Sequence, residues 1–232
     1  MALEQTDWET LHHQVITCRR CPRLVNWRET VAQRKTRRFA QWDYWGKPVP
    51  GFGDPTARLW IVGLAPAAHG GNRTGRIFTG DRSGDWLFRA LYKAGFANQP
   101  QSIARNDGLR LNDCYISAVV RCAPPGNKPL KEEVLNCRPY LIKEFHLLTH
   151  LEIILALGQF AFLNLLQTLE FTGLGPFKPR PRFGHGVELS LTPHLTLIAS
   201  YHPSQQNTFT GKLTESMLDT IFLRVRQLLT TK

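Results

Sequence analysis

Eight side chains stand in contexts that could do chemistry. Cys18 and Cys21 form a two-spaced pair, a separation that lets two thiolates chelate one centre. Cys122 and Cys137 have fourteen residues between them, one just after a strand-like run and one within the helical run that follows. Four thiolates could close a tetrahedral zinc site or hold an iron–sulfur cluster, and buried thiols without metal are the plain alternative. A zinc ribbon more often shows two close pairs, and only one is present here. Cys114, inside a strand-like run, reads as core. His202 is followed by Pro203 and Ser204; the proline fixes the backbone and pushes the histidine away from helical conformation. A histidine aimed so rigidly is a catalytic candidate, or one that satisfies local backbone groups. The Gly-rich segment Ala65–Gly84 offers His69, Asn72, Arg73, Thr74, Arg76 and Asp81 with little bulk between them. Phe78 is its one aromatic residue, read as functional or as a plug over the core. Asp81 supplies a carboxylate, or caps a helix. Asn127, between Gly126 and Lys128, is a functional amide or an ordinary turn residue. Gly70 and Gly75 have a phosphate-loop spacing, but Arg76 and Ile77 stand where Lys and Ser or Thr are needed, which argues against a triphosphate site. His146 and His150 lack a third ligand and read as surface; His12, His13, His185 and His194 take no role.

The pattern of elements explains how these residues could meet. Leu59–Leu64, Cys114–Val120, Glu152–Leu157 and Leu195–Ser200 are short apolar runs, as in strands buried on both faces. Helical patterns over Asp85–Ala94, Leu130–Leu148, Gln159–Leu169 and Thr214–Leu229 alternate with them, with Pro129 suited to the first turn of the second. Val187–Leu191 is a short hairpin strand. The first fifty residues read as one helix followed by a basic, aromatic-rich stretch containing Arg34, Lys35, Arg37, Arg38, Phe39, Trp42, Tyr44 and Trp45. Alternating strand and helix implies right-handed crossovers and a parallel sheet covered on both faces. Ligands in such folds sit beyond the carboxyl ends of the strands. This nominates residues 65–84, 123–129 and 201–211.

With 232 residues the chain has room for one domain with a sizeable core, and 42% hydrophobic residues exclude disorder. A net charge of +11 favours an anionic partner such as nucleic acid. Residues 1–14 show no secretory signal pattern, and the longest apolar stretch, Leu151–Leu166, is interrupted by Glu152, Gly158, Gln159 and Asn164. It reads as strand then helix and not as a membrane span, so a cytoplasmic protein is expected. In that reducing setting the cysteines are ligands or free thiols, not disulfides.

Gly63–Asp81 (GLAPAAHGGNRTGRIFTGD), the APPGNKP loop (Ala123–Pro129) and the HPS tripeptide at 202–204 resemble the signature segments of the uracil-DNA glycosylase superfamily, and more narrowly its family five. The resemblance runs from Cys18 to the last helix. It implies a single domain over residues 1–232 with a three-layer α/β/α fold around a central four-stranded parallel sheet. Residues 1–50 would form an N-terminal helix and basic segment joined to a four-iron, four-sulfur cluster held by Cys18, Cys21, Cys122 and Cys137. The cluster would be structural. The related families one and four place a polar or acidic residue after the first strand; here Leu64, Ala65 and Pro66 stand there, so Asp81 is the carboxylate that remains. The implied partner is DNA carrying uracil, with hypoxanthine and other deaminated bases as further substrates, and the protein a monomer. A base must be extruded before it can be cut. The flipped base would stack on Phe78, Asn127 would read its edge as donor and acceptor, and Ala65 and His69 would complete the substrate-binding set. His202 would stabilise charge on the leaving base. Asp81 would orient water, stabilise the sugar cation, or both. Gln205–Lys212 resembles the loop that wedges into DNA. A family-four enzyme, and a non-catalytic iron–sulfur DNA-binding protein, are the rival readings.

Overall fold

The structure, a computed structural model, describes residues 2–230 and the side chains of residues 7–230. Two helices open the chain, α1 (Ala2–Ile16) and α2 (Pro22–Arg34), where one was expected. The turn through Cys18–Cys21 separates them, and Pro22 starts the second because it lacks an N–H to leave unpaired and its fixed φ suits a first helical residue. Then follow β1 (Phe52–Gly53), β2 (Leu59–Gly63), α3 (Gly71–Thr74), α4 (Arg82–Lys93), β3 (Cys114–Ala118), α5 (Lys131–Leu147) and β4 (Ile153–Leu157). The chain finishes with α6 (Gln159–Glu170), β5 (Glu188–Thr192), β6 (Leu195–Ser200), α7 (Gln205–Phe209) and α8 (Glu215–Thr230). Pro129 falls outside α5. Leu130 is the capping residue, and its N–H donates to the Glu133 carboxylate at 2.7 Å. Glu133 also pairs with Arg23 at 2.8 Å, which ties the start of α5 to α2.

The sheet runs β1-β3-β2-β4-β6-β5. Its four central strands are parallel, as expected. Antiparallel edges extend it to six: β5 is the hairpin strand, and β1 is two residues long, too short to show a pattern in the sequence.

Successive side chains along each strand point to opposite faces. Trp60, Val62, Ile154, Ala156 and Leu197 join the core that includes residues of α1, α5 and α6. Leu59, Ile61, Ile153, Leu155 and Ile198 join the core under α4 and α8. Three layers result. Because β2, β3, β4 and β6 run the same way, the segments that follow them all leave from one rim of the sheet.

Candidate active site and cysteine centre

At that rim the start of α4 is built around close approaches. Asp81 caps the helix, its carboxylate accepting from Gly84 N–H at 3.0 Å. Gly70 lies against the same carboxylate; a Cβ there would collide with Asp81 Oδ2. Gly84 is held against the Phe78 carbonyl so tightly that no side chain fits between them. Phe78 takes φ 53°, unusual for a bulky residue, and is 6% exposed. Its ring covers Gly63 at the end of β2, where a Cβ would sit 2.6 Å from Cζ. The ring also lies beside that of His202, with centroids 5.7 Å apart and planes at 33°. His202 follows β6. Gly158, just past β4, leaves room for it, and Asn207 Nδ2 donates to its carbonyl at 2.9 Å. Three strand ends thus converge on Phe78 and His202.

Burial sets the protonation states. It lowers His202 to about 4, so the imidazole is neutral at pH 7. It raises Asp81 above the ordinary carboxylate range; Asp85 adds to this, while the N–H groups of Gly84 and Ser83 and the charge of Arg73 oppose it.

The other candidates are placed differently. Ala65 is half-buried and packs against the α1–α5–α6 core. His69 is engaged through Nδ1, 3.0 Å from Tyr44 Oη, and burial followed by the Arg73 charge lowers its pKa. Asn127 stands apart: it is exposed, has φ 57°, and donates only its backbone N–H, to the Pro124 carbonyl at 3.1 Å, its side-chain amide bonding no other described residue. The polar side chains that looked free in the sequence are not. Asn72, Arg73, Thr74 and Arg76 are all buried. Arg76 pairs with Asp107 at 2.8 Å and bonds Ser102 at 2.6 Å and Thr79 at 3.0 Å. Asn72 donates to the Arg28 carbonyl of α2 at 3.1 Å. Phe39, Trp42 and Tyr44 reach this loop from the N-terminal stretch. The sequence signalled them only as part of a basic, aromatic run.

Cys18, Cys21, Cys122 and Cys137 line one cavity together with Arg28, Arg121 and Asn136. Cys114 lies elsewhere, buried in β3 among the α4–α8 core, as expected. Arg28 Nη1 donates to Cys122 Sγ at 3.0 Å, and Asn136 Nδ2 to Cys21 Sγ at 3.5 Å. Arg121 pairs with Glu144 at 2.5 Å. Arg28 Nε and Arg121 Nε and Nη1 are buried without a hydrogen-bond partner. Unpaired buried donors are rare. Around four thiols they fit an anionic, sulfur-rich group. Among the described residues no set of three or more His, Cys, Asp or Glu side chains is placed to hold a single ion. Burial pushes Cys122 up to about 11 and Cys137 to about 12, so any group they ligate must displace their protons.

Residues 50–226 match the model of the uracil DNA glycosylase superfamily. A type-5 uracil-DNA glycosylase of Mycobacterium bovis is 53% identical over 219 residues, covering 94% of this chain and 80% of its own. One from Thermus thermophilus is 46% identical over 222 residues, covering 96% of this chain and 98% of its own. A type-4 uracil-DNA glycosylase of Pyrobaculum aerophilum is 31% identical over 203 residues, covering 85% of this chain and 83% of its own. The two type-5 proteins therefore share more residues, over more of the chain, than this type-4 protein does.

Proposed function

This chain belongs to the uracil DNA glycosylase superfamily, in its type-5 branch, and we propose that it removes uracil from DNA by hydrolysing the N-glycosidic bond of an extruded nucleotide. The observation that carries this reading is the placement of a half-buried carboxylate, a neutral imidazole and an aromatic face at one rim of the sheet. Bond breaking leaves negative charge on the base and positive character on the sugar. His202, uncharged at pH 7, donates a hydrogen bond to the base oxygen as charge grows there. Asp81 faces the other half of the charge separation. A carboxylate withdrawn from water is a stronger partner for a developing cation than one in solvent, and it can also orient the attacking water. Phe78 supplies the stacking face, with Ala65 and His69 lining the same loop. Asn127, exposed and free to turn, reads the edge of the base. The substrates extend to hypoxanthine and other deaminated bases. Cleavage of a uracil-containing duplex, read after alkaline treatment of the abasic product, tests the assignment; intact DNA would reduce the chain to a non-catalytic binding protein.

Cys18, Cys21, Cys122 and Cys137 would hold a four-iron, four-sulfur cluster, which would cross-link the turn between α1 and α2, the segment after β3, and α5. The enzyme works as a monomer in the cytoplasm; among the described residues no helix is long and apolar enough to cross a membrane.

Two outcomes follow for substrate handling. Asn127→Ala lowers the single-turnover rate on uracil more than on hypoxanthine, because the two bases present different edges; equal losses would remove its reading role. Binding to duplex DNA weakens steeply with salt, with a log–log slope of roughly −0.9 for each phosphate neutralised. A flat dependence would mean that the +11 charge is spread as an ordinary solvated surface.

A further inference from the structure

Arg73 lies in α3, within the loop that carries the base-pocket residues, and is 3% exposed. Among the described residues no carboxylate pairs with it directly, a costly state for a buried cation. Its environment compensates in two ways. Nε donates to the His69 carbonyl at 2.7 Å and Nη2 to the Gly80 carbonyl at 3.0 Å, so one guanidinium joins the two ends of the loop. Its Cζ lies 3.9 Å from the centroid of Phe39 and 4.1 Å from that of Trp42, two rings that meet at 82°. The cation therefore sits in an aromatic corner contributed by the N-terminal stretch. Nη1 is left without a partner. The backbone is shaped around this group: Gly80 has φ 73°, and a Cβ there would collide with Arg73 Nη2.

We propose that Arg73 is a positioning residue for glycosidic bond cleavage: held by Phe39 and Trp42, it fixes residue 80 against residue 69 and holds the adjoining Asp81 carboxylate in register. The proposal rests on the reading that Asp81 acts in catalysis. The charges around the pair are few. Asp85 acts on Asp81 from within α4, beside the N–H groups of Ser83 and Gly84. Arg38 and Tyr44 act on Arg73 from the N-terminal stretch, and His69, itself affected by Arg73, bonds Tyr44. Arg73 is the cation that favours ionised Asp81, against burial and against Asp85. A brace with no electrostatic part would steady the loop but leave the titration of Asp81 where it was.

The test is the single-turnover rate of uracil release as a function of pH, for the wild type, Arg73→Gln, Arg73→Lys, Trp42→Leu and Asp81→Asn. Arg73→Gln should lower the plateau on the order of 10²-fold, the usual penalty for a displaced reacting group. Its acid limb should move to higher pH, with affinity for duplex DNA at fixed salt little changed. Arg73→Lys should keep the limb but lose rate, because an ammonium carries the charge without the planar fork that meets two carbonyls. Trp42 is only partly buried, so Trp42→Leu should fold and show smaller changes in the same directions. If Asp81→Asn retains full rate, the role of Asp81 fails and that of Arg73 with it. If Asp81→Asn is slow while Arg73→Gln and Trp42→Leu keep the wild-type limb and rate, Arg73 has no part in the reaction and the proposal is overturned. Should Arg73→Gln fail to fold, unchanged limb and rate in Trp42→Leu overturn it alone.

Discussion

Asp81→Asn lowers the rate of uracil release by about 10²-fold or more, the scale of a positioned acid–base group, while leaving α4 in place. Asparagine caps helices about as well as aspartate, so the contact to Gly84 N–H survives and only the charge is lost. Asp81→Ala removes both and adds a stability loss of about 1 kcal/mol. The sign of the pH effect can be worked out. The folded-state pKa of Asp81 is raised, mainly by burial, so the folded chain binds the extra proton more readily than the unfolded chain does. Stability then falls as pH rises from the ordinary carboxylate range through the raised value. Above that raised value the ionised group opposes folding, and there Asp81→Asn should melt at the same temperature as the wild type or higher. The wild-type rate should fall on the acid side as the carboxylate takes up its proton, and this limb should vanish in Asp81→Asn. His202, neutral down to about 4, does not account for a limb above that value. Full activity of Asp81→Asn would leave the residue as a helix cap only.

Cys137→Ala should cost about 3–5 kcal/mol, the scale for breaking a buried charged assembly. The removed thiol belongs to a cavity lined by two buried arginines, several of whose N–H groups have no other partner. With the centre incomplete, those donors face nothing. The purified wild type should be brown, with broad visible absorbance and iron and sulfide in near-equal amounts, and Cys137→Ala should be pale and prone to aggregate. A colourless wild type containing zinc, or a variant that melts like the wild type, would sink the cluster assignment.

The central sheet was legible because parallel strands buried on both faces must be continuously apolar. Leu195–Ser200 was placed to the residue, and the ends of the other three parallel strands shifted by no more than two. The cap at Asp81 was also legible, since a polar residue before a helical period has few other uses. Short elements escaped: β1 and α7 hold too few residues for any periodicity to register. The loop between β2 and α4 misled for a different reason. Its string of Asn, Arg and Thr looks solvent-facing, yet residues 70–79 are buried throughout. Their partners are carbonyls of the same loop, Ser102 and Asp107, and rings some thirty residues earlier in the chain. No local pattern reports contacts of that range. Asn127 remains where its turn chemistry put it, exposed in the loop after β3.

The hydrogen bond from Asn72 to Arg28 joins a residue inside the span of the family model to one before it. The family model begins at residue 50, after Cys18, Cys21, Arg28, Phe39, Trp42 and Tyr44. Yet Trp45 N–H donates to the Arg73 carbonyl and Gly46 N–H to that of Asn72, while Arg28 reaches Cys122. The edge of the family model is therefore not an edge of the packing. Loosening α2 withdraws support from the thiols and from the loop above the sheet in one event. Residues 28–46 would be expected to open together with the loop between β2 and α4, and a chain trimmed to begin at residue 50 should hold that loop less firmly.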